Sequence, residues 1–434
     1  MQITLSSFGT LGDLFPYLAL GRALRDRGHK VVMAIPGGLL AYAQRARLDA
    51  LPCYTHHGRE HVKASAAGFD HWPADLAAAV TEPEAQTRAK TEAEQGKWQA
   101  SFDLKARIQD LVAACKNAEL LVCHSLVAGE PVAAEIAGIP CVQAEVAPER
   151  LWQGRFRSFL AELEGKSPLK SLSARKYFEW LQRHRRETGL PETPRSGWDG
   201  YFWSVPTLLA ASPLFLAPLD TSGWKAELCG FWFYDDPEDC TWKPDPELAA
   251  FVERIPAPLV VSFSSLPLVE PDRILALHVE AARQIGRPLV VLTGWSGLEE
   301  SAGLPWGGDV LVRGFLPQDW LFARAAAVIH HGGIGTIARA LRNACPMLVE
   351  PWGNDQFFNA LLVLKNGVGV AAHPKKLTAR ELAHLLAAKV LSQQIKDRVT
   401  AIGEGIRRED GIREAVRLIE NAFQNSSHSR AATT

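Results

Sequence analysis

The chain has 434 residues, of which 47% are hydrophobic and 22% charged, as in an ordinary globular protein large enough for two domains. Lys and Arg together number 47 and Asp and Glu 48, so the formal net charge is -1 at pH 7. This balance argues against a protein that binds nucleic acid or an anionic membrane through bulk charge. The sequence shows neither a signal-peptide pattern nor an apolar run of about 18 residues, so we expect a cytoplasmic protein.

The first half of the chain alternates between predicted strands and predicted helices. A strand over residues 3–7 leads through a glycine-containing turn into a helix over residues 15–27, and the next strand covers residues 30–35. Further strands are predicted over residues 120–124 and 230–234. Strands that alternate with helices predict a parallel sheet, in which the loops after neighbouring strands meet at the carboxyl edge.

The second half of the chain repeats this pattern. Residues 235–246 are rich in proline and acidic side chains, which is typical of an interdomain linker. The strand-like runs that follow are separated by helix-length sequence and predict a second doubly wound sheet. We therefore divide the chain into a first domain over 1–235, a linker over 236–257, a second domain over 258–410, and a C-terminal helix and tail over 411–434 that frays from residue 425.

A glycine-rich turn follows a buried strand in the second half. The apolar run over residues 325–329 ends in two histidines, and Gly332, Gly333 and Gly335 then lead into a helix with apolar periodicity. Such a turn points backbone N–H groups and the positive end of a helix at the same space. The pattern predicts a phosphate-binding site.

A carboxylate and an amide follow the next strand. Asp355 and Gln356 stand side by side in the loop after the strand over residues 345–350. Because loops at the carboxyl ends of neighbouring parallel strands meet over one crevice, we expect this pair to lie close to the glycine turn. Phosphate binding beside groups that bind hydroxyls suggests a nucleotide sugar.

These two motifs resemble a known signature. His331-Gly-Gly-Ile-Gly-Thr336 and Asp355-Gln356, with 24 positions between residues 331 and 355, are similar to the donor site of nucleotide-sugar-dependent glycosyltransferases of the GT-B type. The resemblance implies an α/β fold of two Rossmann-like doubly wound domains facing a central cleft. It also implies that the first domain binds the acceptor, that the second binds the donor, and that the C-terminal helix returns to the first domain.

The resemblance assigns the donor site residue by residue. Phe315 would stack on the nucleotide base, the backbone amide of Leu316 would read its edge, and Gln318 would approach the ribose. The diphosphate would be bound by residues of two loops: Ser265, His331, Gly333, Gly335 and Thr336. Asp355 and Gln356 would bind the sugar hydroxyls.

Two positions depart from the family pattern. Ser264 replaces a glycine of the phosphate loop, which calls the close approach of the backbone there into question. Arg339 stands where plant-type members have a glutamate that binds the ribose hydroxyls. Because that carboxylate would distinguish ribose from deoxyribose, its replacement leaves both UDP-sugars and dTDP-sugars as candidate donors.

Asp13 is the candidate general base. It lies in Gly12-Asp-Leu-Phe-Pro16, which resembles the segment that carries the histidine base in plant-type members. In the branch with vancomycin-group glycosyltransferases, sterol glucosyltransferases and the rhamnosyltransferase of rhamnolipid synthesis, an aspartate stands there. The alternative is that Asp13 only caps its helix.

His124 lies near the position at which plant-type members have the aspartate that supports their histidine base. We hypothesise that His124 shares the proton transfer with Asp13. A helix-capping or core histidine is the alternative for His124.

These features predict an inverting glycosyltransferase that moves a hexose, in the first place glucose from UDP-glucose, to a hydroxyl of an apolar acceptor such as a phenolic, a sterol or a hydroxylated lipid. Transfer of rhamnose from dTDP-rhamnose to a hydroxy fatty acid is the alternative. A sugar-nucleotide epimerase and a noncatalytic nucleotide-sugar-binding protein are alternatives from other classes. We expect no cofactor, no metal, since no His or Cys cluster has ligand spacing, and no nucleic-acid partner. A lipid acceptor would add peripheral membrane contact.

Overall fold

The fold consists of two parallel sheets with helices on both faces. The computed structural model describes residues 1–53, 104–124, 130–148, 179, 182–192, 205–222, 224–239, 241–264, 266, 268, 270–298, 306–353 and 355–431. Within these ranges every strand pair is parallel. The predicted fold class, two doubly wound α/β domains, is confirmed.

The first sheet contains seven strands in the order β3-β2-β1-β4-β5-β6-β7. The strands are β1 (Gln2–Ser6), β2 (Lys30–Ile35), β3 (Asp49–Pro52), β4 (Leu120–Cys123), β5 (Cys141–Glu145), β6 (Thr207–Leu209) and β7 (Glu227–Leu228). Strand order reverses between β1 and β4, where Ile3 pairs with Leu120. Open parallel sheets bind ligands in the crevice at such a switch point.

The second sheet contains six strands in the order β10-β9-β8-β11-β12-β13. These are β8 (Leu259–Ser262), β9 (Leu289–Leu292), β10 (Val310–Arg313), β11 (Ala327–His330), β12 (Met347–Val349) and β13 (Gly369–Ala371). The switch point lies between β8 and β11, where Ser262 pairs with His330. Both sheets therefore present a crevice of the same topological kind.

The helices cover both faces of these sheets. In the first domain they are α1 (Leu11–Asp26), α2 (Leu40–Arg45), α3 (Leu104–Ala114), α4 (Glu130–Ala137) and α5 (Pro213–Leu216). After β7 they are α6 (Pro246–Val252), α7 (Pro271–Gln284), α8 (Gln318–Phe322), α9 (Ile334–Arg342), α10 (Gln356–Asn366), α11 (Ala379–Leu385), α12 (Gln393–Ile406) and α13 (Gly411–Ala431). The segment predicted as the linker therefore contains helix α6.

The C-terminal helix α13 packs against α1 of the first domain. Ala415, Val416 and Ile419 are buried in the core of that domain. At the surface, Arg27 and His29 both contact the carboxylate of Glu420, at 3.0 Å each. The helix continues to Ala431, so the prediction of a frayed tail from residue 425 is wrong for residues 425–431.

The predicted strand over residues 230–234 is wrong. The last strand of the first sheet ends at Leu228, and the residues after it are extended but pair with no strand in the described part of the chain. Gly230 has a φ of +88°, and a Cβ at this position would lie 3.3 Å from the backbone of Gly411. The apolar side chains that suggested a strand, Phe231 and Trp232 among them, are instead buried as the chain leaves the first sheet.

Candidate active site

Asp13 and His124 meet at the switch point of the first sheet. Asp13 follows β1 and His124 follows the neighbouring strand β4. Their nearest side-chain atoms, Asp13 Oδ1 and His124 Nε2, are 3.6 Å apart. The His124 side chain is 1% exposed and that of Asp13 is 24% exposed. Asp13 is therefore the member of the pair that an incoming substrate can reach.

A capping box holds the Asp13 carboxylate. Asp13 is the third residue of α1, and its Oδ2 accepts a hydrogen bond of 2.7 Å from the backbone N–H of Thr10. The helix therefore begins at Leu11, earlier than predicted, because the capping box satisfies its first turn. Gly9 has a φ of +125°, and a Cβ there would lie 2.2 Å from Asp13 Oδ2. Asp13 thus caps its helix with one oxygen while the other lies nearest to His124.

The glycine turn after β11 forms an open helix N-terminus. Gly332 has a φ of +94°, Gly333 is the N-cap and α9 begins at Ile334. A Cβ at Gly333 would lie 2.6 Å from His331 Nε2, so only glycine allows the imidazole to lie against this backbone. A Cβ at Gly335 would meet no atom within 4 Å, which leaves space beside the helix start. Thr336 is buried in the first turn.

Both histidines before the turn are uncharged at neutral pH. Burial lowers the pKa of His331 to about 4, and burial together with His331 lowers the pKa of His330 to about 3. His330 Nδ1 accepts a hydrogen bond of 3.1 Å from the backbone N–H of Gly332, which shapes the turn. His331 Nδ1 is buried and has no hydrogen-bond partner within the described ranges. A neutral imidazole that donates one hydrogen bond suits a phosphate oxygen.

Asn359 joins the glycine turn to the Asp355 loop. Its Nδ2 donates hydrogen bonds of 2.9 Å to the carbonyl oxygen of Gly332 and to Asp355 Oδ2. Gln356 Oε1 accepts from the backbone N–H of Trp352 at 2.8 Å, which leaves the amide nitrogen of Gln356 as its hydrogen-bond donor. We call residues 331–336 together with residues 355–356 the donor cradle. Asn359 was missed from sequence, although its position one helical turn after Asp355 is a signal for it.

The segment after β10 presents an exposed aromatic ring. Phe315 is 56% exposed, whereas Leu316 and Gln318 are partly buried at the start of α8. A phenyl ring this exposed gains little from packing, so its surface is available for stacking on a planar base.

Ser264, in the loop after β8, has the backbone conformation that glycine prefers. Its φ is +53°. The backbone N–H of Trp295 donates a hydrogen bond of 2.8 Å to the carbonyl oxygen of Ser264, and a Cβ at Gly294 would lie 2.2 Å from the same oxygen. Trp295 in turn packs against the core of the first domain, which brings this loop beside that domain. Ser265, the predicted phosphate ligand, lies outside the described residues.

The amino-acid sequence is similar to that of known proteins, both within the second domain and along nearly the whole chain. Residues 288–409, which include the whole donor cradle, match the model of the Erythromycin biosynthesis protein CIII-like C-terminal domain family. A sterol 3-beta-glucosyltransferase of Pichia angusta is 27% identical over 447 residues, which cover 98% of this chain and 34% of that protein. A sterol 3-beta-glucosyltransferase of Arabidopsis thaliana is 26% identical over 444 residues, covering 96% of this chain and 67% of that protein. The chain thus spans about a third of the length of its fungal relative.

Solved glycosyltransferase structures share the fold across almost the whole chain. The glycotransferase of kitacinnamycin superposes with a TM-score of 0.69 at 20% identity, covering 97% of this chain and 98% of that one. The calicheamicin glycosyltransferase gives a TM-score of 0.69 at 15% identity, covering 98% of each chain. The chain therefore has the fold of the GT-B glycosyltransferases.

Arg339 is bonded to neighbouring parts of the protein. Its guanidinium donates to Asp319 and to the carbonyl oxygen of Tyr234. It therefore ties α9 to the segment after β7 and offers no hydrogen-bond acceptor to a ribose hydroxyl.

Within the described ranges, no group of three or more His, Cys, Asp or Glu side chains could hold a metal ion. None of the helices described here is both long and apolar enough to cross a membrane.

Proposed function

We propose that this protein is a glycosyltransferase that moves a hexose, with inversion, from a nucleoside diphosphate to a hydroxyl of an apolar small molecule. The observation that carries the proposal is the pairing of a substrate-accessible Asp13 with a buried His124, 3.6 Å apart, at the switch point of the first sheet. The donor cradle occupies the matching switch point of the second sheet. A base on one domain and an anion site on the other are what direct displacement requires.

The proposed reaction is a single displacement. The acceptor hydroxyl gives its proton to Asp13 while its oxygen forms a bond to the anomeric carbon. The bond between that carbon and the diphosphate oxygen breaks, and its electron pair remains on the diphosphate. The N-terminus of α9, His331 and Thr336 stabilise this developing charge. His124, being buried, positions the Asp13 carboxylate and does not contact the acceptor.

UDP-glucose is the donor we propose, and an apolar alcohol such as a sterol, a phenolic or a hydroxylated lipid is the acceptor. The similarity to sterol 3-beta-glucosyltransferases supports both choices. A dTDP-sugar is the second candidate donor. It is favoured by the position of Arg339, which supplies no acceptor for the 2′-hydroxyl that distinguishes ribose from deoxyribose.

The test is mass spectrometry of a mixed acceptor pool that contains flavonoids, a sterol and 3-hydroxy fatty acids. The pool is incubated separately with UDP-glucose and with dTDP-rhamnose. We expect a hexose mass on one acceptor with UDP-glucose. A deoxyhexose mass with dTDP-rhamnose would instead support the second donor. If no acceptor gains mass and no nucleoside diphosphate is released, the proposal is contradicted. That result would favour an epimerase or a binding protein.

A further inference from the structure

A buried histidine and glutamate form an ion pair in the second domain. His278, on α7, and Glu350, directly after β12, are 1% and 0% exposed. His278 Nε2 lies 2.9 Å from Glu350 Oε1, and His278 Nδ1 lies 2.6 Å from the carbonyl oxygen of Ile274. Because a carbonyl and a carboxylate only accept hydrogen bonds, both ring nitrogens donate, as in a protonated imidazolium. Burial opposes this charge, but the carboxylate of Glu350 raises the pKa of His278 above its usual value.

The pair contacts the ends of three strands that carry donor loops. The His278 ring packs edge-on against Phe263, the residue that follows β8, with ring centroids 6.0 Å apart. The backbone N–H of Glu350 donates a hydrogen bond of 2.7 Å to the carbonyl oxygen of His330, at the end of β11. Glu350 itself leads from β12 into residues 351–355. The bond to His330 is made by the backbone and belongs to the sheet, whereas the side-chain pair joins α7 to the end of β12 and contacts Phe263 after β8.

Stability is a weak explanation for this arrangement. Two charges lose their hydration when they are buried, and apolar side chains of similar volume often replace such pairs without loss of stability. Glu350 Oε2 is also buried without a hydrogen-bond partner among the described residues, which costs further free energy. A directional pair does, however, fix the distance between the elements that carry it, which apolar contacts do less strictly.

We propose that His278 and Glu350 are positioning residues for the nucleotide-sugar donor. They hold the end of β12, which is bonded through its backbone to the end of β11, at a fixed distance from α7 and from Phe263 after β8, so that the two parts of the donor cradle face the same diphosphate sugar. Both side chains are fully buried, so they act through Phe263 and through the position of the Glu350 backbone, and they do not touch the donor. The inference rests on the proposed function, because it requires a nucleotide in the cradle.

The test replaces the pair with apolar side chains of similar shape in the double variant His278→Phe/Glu350→Leu. We expect a thermal midpoint equal to or above that of the wild type, because the desolvation cost is removed. We expect dissociation constants for UDP and dTDP, measured by calorimetry, to rise at least tenfold. In turnover assays the KM for the donor should rise while the KM for the acceptor stays the same.

The matched control is Arg283→Gln/Asp309→Asn. This pair, 2.7 Å apart, also involves α7, but it lies at the C-terminal end of the helix, directly before β10, whereas His278 lies near the middle of α7. Its removal should leave nucleotide affinity unchanged, which separates a general effect of α7 from an effect on the donor loops.

The outcomes distinguish this inference from the proposed function. A wild type that binds neither UDP nor dTDP overturns both. A wild type that binds, with a stable double variant that binds equally well, overturns the inference alone. If the double variant does not fold, Glu350→Gln decides, because it keeps the shape and loses the charge. Weaker nucleotide binding by folded Glu350→Gln supports the inference, and unchanged binding overturns it.

Discussion

Removing the Asn359 side chain should damage the donor cradle more than it damages the fold. Asn359→Ala deletes two hydrogen bonds, a buried one to the carbonyl oxygen of Gly332 and a partly buried one to the carboxylate of Asp355. A neutral hydrogen bond contributes about 0.5–1.5 kcal/mol and one to a charged group about 1.5–3 kcal/mol, so the two together contribute about 2–4.5 kcal/mol. Because both partners belong to the cradle, part of this loss should appear as weaker donor binding.

The same helix supplies a matched control. Asn366 is 2% exposed, and its Nδ2 donates hydrogen bonds to the carbonyl oxygens of Phe215 and Leu362, at 2.8 and 2.9 Å. Asn366→Ala therefore also removes two buried hydrogen bonds from α10, but at the end away from the cradle. We expect both variants to unfold at lower temperature, by roughly 2–4 °C for each kcal/mol lost in a domain of about 200 residues.

Nucleotide affinity should separate the two variants. For Asn359→Ala we expect the dissociation constant for UDP, measured by calorimetry, to rise at least tenfold, which corresponds to about 1.4 kcal/mol. For Asn366→Ala we expect no change. Equal nucleotide affinity in Asn359→Ala and the wild type would refute the view that this side chain aligns the glycine turn with Asp355.

Three further predictions concern backbone strain, pH and metal dependence. Ala344 has a φ of +51°, so Ala344→Gly should raise the free energy of unfolding in urea by about 1 kcal/mol. His330 and His331 have folded-state pKa values of about 3 and about 4, so the unfolded chain takes up protons first as pH falls below about 6.5. Unfolding free energy should therefore drop by on the order of 2 kcal/mol per histidine between pH 7.5 and 5, and His331→Asn should show a smaller drop. In the proposed reaction a helix N-terminus and His331 stabilise the leaving group, so transfer should persist in EDTA; its loss would contradict that proposal.

The sequence was sufficient to predict the fold and the neighbourhood of the site. Asp13 and His124 are far apart in the chain, yet each follows a strand of a regular α/β alternation, and that order places them at adjacent strand ends. The glycine turn and Asp355 are related in the same way. Local patterns of this kind can be recognised in a sequence without knowledge of side-chain packing.

The contacts that refine the site could not be predicted from local pattern. The hydrogen bond between Asn359 and Gly332 spans 27 positions, and the one between His278 and Glu350 spans 72. Both hydrogen bonds depend on the position and orientation of a helix on the sheet. The error at residues 230–234 has a related cause, because apolar side chains are needed equally in a strand and in a buried connection between domains.

The most direct test of the account compares the wild type with Asp13→Asn. An asparagine at residue 13 can still accept the hydrogen bond from Thr10, so α1 should keep its start, while the amide cannot take a proton. With a glycosyl acceptor identified from the pool, we expect the turnover rate to fall by about 10²–10⁴ with an unchanged dissociation constant for UDP. Asp26→Asn, at the exposed end of the same helix, should behave like the wild type. Turnover by Asp13→Asn at the wild-type rate would contradict the assignment of Asp13 as the base.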